Sequence, residues 1–253
     1  MAGKSAGMGD QLWIGGYDLG ASTNSLTRCN GGPAPLDLTD ITQSAYERKG
    51  GKRDGGMTVV SYFNPDVGAS HEKYSALPTA DQVCTYAHTT AIGGASVNTL
   101  AKQIGYDGNR GDDGQFLLTV DMQANGYGLQ WAFQATAGMR TDSAATAAAA
   151  VSPLDFGATT PAGAYGLVMW VQLKAFTGTS VTIKLQESSD NSADAYADVV
   201  GATSGALTSA PQGLRIATGA INVERYVKVV TVGTFSNAVF AVSAYRHRVQ
   251  TDY

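Results

Sequence analysis

Apolar side chains in this chain recur at every second position, the period of a β-strand, and no long segment carries them at helical spacing. The pattern is clearest in LVMWVQLKAF, where Leu167, Met169, Val171 and Leu173 share one face and Val168, Trp170, Gln172 and Lys174 the other. SVTIKLQ repeats it with Val181, Ile183 and Leu185, and Thr177-Gly178-Thr179 between the two segments reads as a hairpin turn. LRIAT, RYVKVVTV and NAVFAVSAYRHR add further strands, separated by Gly219 and by residues 233–237. Short strands joined by polar, glycine-bearing turns, with no amphipathic helix, predict an antiparallel β-sandwich.

The first half is β-rich but less regular. QLWIGGYDL, GMTVVSYFN, DQVCTYAHTT, LAKQIGYD, GQFLLTVDMQ and YGLQWAFQATA are strand candidates, with Phe116, Leu118, Val120 and Met122 alternating against Leu117, Thr119 and Asp121. One short helix is expected over residues 69–77, with Ser70 at its N-cap and Pro78 just past its end. At residues 143–160, SAATAAAAVSPLDFGATT, an alanine run meets Ser, Pro and Gly that do not extend it, which reads as a linker. The expected fold class is therefore all-β with one short helix. A β-sandwich or barrel domain spans residues 1–142 with a flexible N-terminal arm, and a second antiparallel β-sandwich spans 161–253, displayed on the outside.

Charge narrows the function. Lys and Arg number 17 against 21 Asp and Glu, a formal net charge of −4, and only 15% of residues are charged. No basic excess is present to neutralise a phosphate backbone, which argues against nonspecific nucleic-acid binding. No run of about eighteen apolar residues could cross a bilayer, and the N-terminus lacks the apolar core of a secretory signal, so a soluble chain is expected. Cys29 and Cys84 belong to no CxxC or Cys/His cluster and read as buried or half-buried thiols. His71, His88 and His247 are scattered singly, and no HExxH, GxSxG or GxxxxGK[ST] occurs, so nothing anchors an enzyme, a cofactor or a metal. The acidic stretches at 107–114 and 187–198 read as a glycine-rich hairpin turn capped by Asp side chains and as a solvated loop, with cation binding the rival reading of each. Trp13, Trp131 and Trp170 each lie in an apolar alternating run and are expected to be buried rather than displayed as a sugar-stacking face.

The order of segments carries more than any single site. GDQLWIGGYDL, SAYERKGGKRDGGMTVVSYFNP, HEKYSALPTADQVCTYAHTTAIGG and LAKQIGYDGNRGDDGQFLLTVDMQANGYGLQW, covering residues 9 to 140, resemble the major tail (tail tube) proteins of long-tailed, non-contractile bacteriophages. The C-terminal half, with VTIKLQESSDNSADAYADVV and RYVKVVTVGT, is similar to a β-sandwich module of phage virion proteins found on tails and capsids alike. The resemblance implies a protomer that joins hexameric rings, with the rings stacking into a tube through a long loop and terminal arms. Its partners would be further copies of itself and other tail proteins, such as the tape measure and tail terminator, with DNA only as passing cargo and no membrane. The place implied is the virion tail, assembled in the host cytoplasm. An acidic, weakly charged wall suits a lumen through which DNA slides, because it repels phosphate. A capsid-decorating or head-tail structural protein is the alternative, and a carbohydrate-binding or host-adhesion module the second.

Within this frame, residues 47–54 (ERKGGKRD) carry Arg48, Lys49, Lys52 and Arg53 against Glu47 and Asp54, a local balance of 4 − 2 = +2. Residues 107–114 carry Asp107, Asp112 and Asp113 against Arg110, a balance of 1 − 3 = −2. A basic loop reaching an acidic surface on a neighbouring ring is the expected use of these residues. A solvated hairpin tip is the plainer explanation of the basic stretch.

Overall fold

The computed structural model describes residues 9–77, 79–157 and 164–249. The elements in chain order are β1 (Gln11–Ile14), β2 (Tyr17–Asp18), β3 (Thr23–Asp37), β4 (Arg48–Tyr62), α1 (Ser70–Ser75), β5 (Gln82–Ala87), β6 (Ala95–Arg110), β7 (Phe116–Gln134), β8 (Arg140–Asp142), β9 (Leu154–Asp155), β10 (Leu167–Ser188), β11 (Ala197–Thr203), β12 (Gln212–Ala217) and β13 (Tyr226–Arg246), with a single 3-10 turn before β3 and another before β9. The described strand pairs are antiparallel, and the sheet does not close into a barrel. The expected N-terminal arm (1–8), Pro78 and the end of the expected linker (158–160) lie outside the described residues.

The chain falls into two compact units, and neither is a continuous half. Unit 1 comprises Met1–Ala21, Val83–Asn98 and Trp131–Tyr253, and unit 2 comprises Ser22–Gln82 and Thr99–Gln130. The division at 142 and 161 expected from composition is therefore not the one the packing makes. Instead of spanning a gap, the alanine-rich segment is laid along β13. Thr146 bridges Thr231, and Leu154–Asp155 pairs with Val227 and Tyr226. The bridge at Thr146 and the pairing at Leu154–Asp155 tie the segment to β13, while most of its alanines stay exposed.

Unit 1 is built on β10 and β13, strands of 22 and 21 residues paired from Leu167↔Arg246 to Ser188↔Tyr226. The expected hairpin turn at residues 177–179 does not form, and RYVKVVTV and NAVFAVSAYRHR are one strand. Both apparent breaks are opposed irregularities of a single ladder, with register shifts between Leu173 and Ser180. Gly178, at φ 153°, has no room for a Cβ, which would lie 2.4 Å from Phe235 Cα, and one on Gly233 would lie 2.3 Å from Ser180 O. These glycines let the ladder bend where a turn would have ended it. The bend brings Leu167, Met169, Val171 and Leu173 into one buried cluster with Val181, Ile183 and Leu185. The first half of β10 also pairs with β12 and the second half with β11, all within one large antiparallel sheet.

The other face of the first half of β10 is buried too, against the N-terminal strands. Gln172 accepts from Gly16 N at 2.7 Å and donates to Val83 O at 3.0 Å, Thr85 Oγ1 at 3.1 Å and Trp13 O at 3.4 Å. Trp13, Ala87 and Ala241 close a second, smaller core beside it. At the edge of this unit Asp142 accepts from Arg140 Nη2 at 2.9 Å and Thr231 Oγ1 at 2.8 Å, with the Arg140 guanidinium 4.8 Å from the Phe240 ring centroid.

Unit 2 holds β3, β4, α1 and most of β6 and β7. Met57, Val59 and Ser61 of β4 stand opposite Met122, Val120 and Leu118 of β7, and all six are buried. α1 presents buried Tyr74 and Lys73, and Gln103 Nε2 donates to Tyr74 O at 2.8 Å. Its N-cap is Ala69, not the expected Ser70, whose hydroxyl is buried and donates to Tyr62 O at 2.6 Å. The hydroxyl thus fastens the helix to β4 instead of capping it.

Two outcomes follow for unit 1. Replacing Gln172 by Leu keeps the volume but strips Gly16 N–H and Val83 C=O of their partner, so urea unfolding should show a loss of about 2 to 5 kcal/mol. Residues 161–253 expressed alone lack Trp13, Ala87 and Leu154 and should give no cooperative thermal transition. A sharp transition in that fragment would contradict the shared core.

Candidate functional site

The basic and acidic residues expected at the ring contact all lie in unit 2, and the sheet register decides where. Arg48, Lys49, Lys52 and Arg53 sit in the first half of β4, where among the described residues its strand partner is β3: Asp37↔Arg48, Leu36↔Lys49, Pro35↔Gly50 and Pro33↔Arg53. Pairing of β4 with β7 begins only at Gly56↔Gln123 and ends at Tyr62↔Leu117. Residues 48–52 therefore form a two-stranded arm roughly 15 Å long at about 3.3 Å per residue, with residues 53–55 at its base beside Gly128 and Leu129 of β7. The prolines fit here because, among the described residues, β3 pairs on one side only, with β4.

Successive residues of a strand face opposite ways, so Arg48 and Lys49 lie on opposite faces of the arm, as do Lys52 and Arg53. The arm is thus basic on both faces rather than striped on one. The Arg48 guanidinium lies 4.6 Å from the Tyr46 ring centroid, and Asp54 accepts from Gln123 Nε2 at 2.6 Å. At the tip, Asp37 accepts from the backbone N–H and hydroxyl of Thr39, and Asp40 from those of Thr42. These bonds, the hydroxyl first, hold both carboxyls below the usual range. Both acids are thereby engaged in the arm's own turns. The tip also carries Leu36, Leu38, Ile41 and Tyr46, all exposed, with Ile41 fully so. Charge counting passes over these four, although LDLTDI after the prolines shows apolar residues with no core to join.

The arm's base is tightly fitted. A Cβ on Gly31 would stand 2.7 Å from Leu129 Cβ, and one on Gly55 would stand 2.7 Å from Leu129 N. Larger residues at 31 or 55 would push the arm off the strand that fixes its direction.

Asp107 lies near the end of β6, and Asp112 and Asp113 in the turn from β6 to β7; all three are exposed. The turn is the glycine hairpin expected. Gly111 N donates to Gln115 O at 2.9 Å, Gly114 N to Gly111 O at 3.0 Å, and Gln115 N to Asp113 Oδ1 at 3.1 Å. Because β7 starts beside Tyr62 and runs antiparallel to β4, this acidic turn lies at the Tyr62 end of the sheet and the basic arm leaves from the Gly56 end. The two groups are separated by the seven paired residues from Gly56 to Tyr62, about 20 Å. Asp66 and Glu72, exposed beyond the end of β4, add to the acidic end. Within one chain the expected partners are not brought together. They are held apart, at opposite ends of one sheet.

The second acidic stretch, in unit 1, serves its own loop. Asp190 accepts from the backbone N–H groups of Ser192, Ala193 and Asp194. Among the described residues, no group of three His, Cys, Asp or Glu is placed to hold a metal ion. Glu187 at its start accepts from Glu224 N at 2.7 Å. Burial raises its pKa, the Glu224 and Asp194 carboxylates add to the rise, and the Glu224 N–H and Arg246 oppose it. Of the tryptophans, Trp13 and Trp170 are buried as expected, but Trp131 is exposed. Cys84 is buried, while Cys29, on β3, is exposed.

A carboxyl whose pKa rises on folding stabilises the fold fully below its unfolded value of about 4.3 and loses that contribution as pH rises through the folded value. Glu187→Gln removes the titration. Its melting temperature should therefore gain on that of the unaltered chain as pH goes from 4 to 7, and a gap that stays constant would show that Glu187 is not strained by burial.

No protein-family model matches this chain, and no curated protein matches it in sequence. Among solved structures it is similar to a chain of the virion of the native gene transfer agent particle, with 15% identity and a TM-score of 0.36 over 47% of this chain and 94% of that one. It is similar over 94% of its length to SPP1 Dit (gp 19.1), described as a paradigm of the hub adsorption apparatus in phages infecting Gram-positive hosts, with 10% identity, a TM-score of 0.34 and 99% of that chain covered. A chain of the phage p2 baseplate in its activated conformation gives 8% identity and a TM-score of 0.34, over 94% of this chain and 99% of that one. At this level the likeness assigns no residue a role.

Proposed function

We propose that this chain is a structural virion protein of a phage tail, which polymerises as rings stacked head to tail into the tube through which DNA is delivered. The observation that carries the reading is the placement of opposite charge at opposite ends of the unit 2 sheet, with the basic end drawn out into an arm. Two different surfaces on one protomer make a heterologous contact, and such a contact repeats as an open stack unless its rotation closes into a ring. A two-stranded ribbon with a free edge and apolar residues at its tip is marginal in water and gains from a neighbour.

The energies are compatible with a contact made only in the assembled ring. Each exposed ion pair contributes about 0.2 to 1 kcal/mol. Burying Leu36, Leu38, Ile41 or Tyr46 adds about 1.5 to 3 kcal/mol per side chain when complete. One arm is weak, but several around a ring engage together, so the second and later contacts are effectively intramolecular. The charges then set polarity and register more than affinity. Other tail proteins would meet the two ends of such a stack, where one surface or the other is left unmatched.

Reversing the arm charges (R48E, K49E, K52E and R53E) should leave circular dichroism unchanged and abolish tubes in negative-stain images at low salt. Reversing the other end in the same chain (D107K, D112K and D113K) should restore them. Tubes of ordinary length from the first variant would reduce the arm to a solvated turn. Single rings or knobs from the unaltered protein at high concentration would instead favour a capsid-decorating or head-tail role.

A further inference from the structure

Trp131 departs from the other tryptophans: it is 54% exposed, whereas Trp13 and Trp170 are each 1% exposed. Its indole lies parallel to the His88 imidazole, with 5° between the planes and 6.3 Å between centroids. Tyr86 meets His88 edge-on at 5.4 Å, and the Tyr86 hydroxyl donates to Asp10 Oδ2. The same oxygen lies 3.6 Å from His88 Nδ1. Strand register explains the grouping, since Gln11↔Ala87 and Leu12↔Tyr86 set the start of β1 alongside the end of β5. The Asp10 side chain is 9% exposed, and its Oδ1 is buried with no hydrogen-bond partner. Every member of the cluster belongs to unit 1.

We propose that this cluster is a binding site for a neutral saccharide, with the indole of Trp131 as its platform. The apolar C–H face of a pyranose ring matches an exposed indole face in size and in lack of polarity. With Nδ1 turned toward the Asp10 carboxylate, His88 keeps Nε2 for a sugar hydroxyl, and the half-exposed ring is within a ligand's reach. Asp10 acts as a positioning residue. It fixes Tyr86 and His88 by holding the phenol hydroxyl and facing Nδ1 of the imidazole. A carboxylate 3.6 Å from the imidazole that would meet the ligand disfavours anionic sugars relative to uncharged ones. The ring stacked on Trp131 is an imidazole, which a phenol meets edge-on and a carboxylate approaches. A protein-docking hot spot would instead be ringed by further apolar side chains.

The site does not depend on stacking, so the arm variant R48E/K49E/K52E/R53E should bind sugar as the unaltered chain does. The full chain is titrated with D-glucose, D-galactose and N-acetylglucosamine, following iodide quenching of tryptophan fluorescence, which reports Trp131 because the other two tryptophans are buried. At least one sugar should shield Trp131 with millimolar half-saturation, and N-acetylneuraminic acid should do so at least about tenfold more weakly. In NMR, saturation transfer from protein to sugar should vanish in Trp131→Ala, persist in Trp131→Tyr, and weaken at least about fivefold in His88→Ala. Absence of saturable shielding by any of the three up to about 100 mM would overturn the proposal. So would saturation transfer that persists in Trp131→Ala. Loss of iodide access on assembly, without sugar, would mean that a second copy covers the indole, and would overturn it equally.

Discussion

A buried primary amide costs a fold several hydrogen bonds' worth of lost hydration unless its oxygen and its N–H groups find partners. Gln172 finds Gly16, Trp13, Val83 and Thr85, residues drawn from both earlier segments of unit 1. Only when β1 and β5 lie on β10 in one register is the amide satisfied. Apolar contacts alone tolerate small slips, and a fixed donor and acceptor set does not. The position of the N-terminal strands, and so the points where the chain leaves for unit 2, depends on this residue.

Period-two alternation made the strands legible, because it depends on local sequence and a half-buried pleat. The same signal failed wherever glycine had two uses. Gly178 and Gly233 look like turn residues, yet they stand opposite Phe235 and Val181 in one ladder and relieve a bend. Nothing in either segment alone distinguishes the two cases; only the strand opposite does, and that is a tertiary fact. β3 escapes the pattern for a related reason. NGGPAPLD has the composition of a loop, and it forms a strand because it lies at a sheet edge where a missing N–H costs nothing.

The charged residues are found by counting, but their arrangement is not. Composition shows a basic stretch and an acidic turn, and the register of β4 on β7 puts them at opposite ends. Trp131 shows the converse limit. Its neighbours in sequence alternate as a buried strand does, and exposure follows from which strands cover that face, which no local pattern encodes. Asp10 and His88 stand far apart in sequence and meet only through β1 and β5.

The interleaving of the two units has a consequence for order in time. A ribosome delivers residues from the N-terminus, and unit 2 has all of its strands once Gln130 has emerged. Unit 1 must wait for the end of β13, since the cluster of Leu167 to Leu185 faces residues as late as Ala244. Throughout the synthesis of the second half of the chain, β1 and β5 are therefore present without the strands that cover them. During the same interval the unit bearing the arm can already be folded. A nascent chain of this topology shows its charged ends to other copies before its own larger core exists, so the stage at which it is most open to premature association precedes its release.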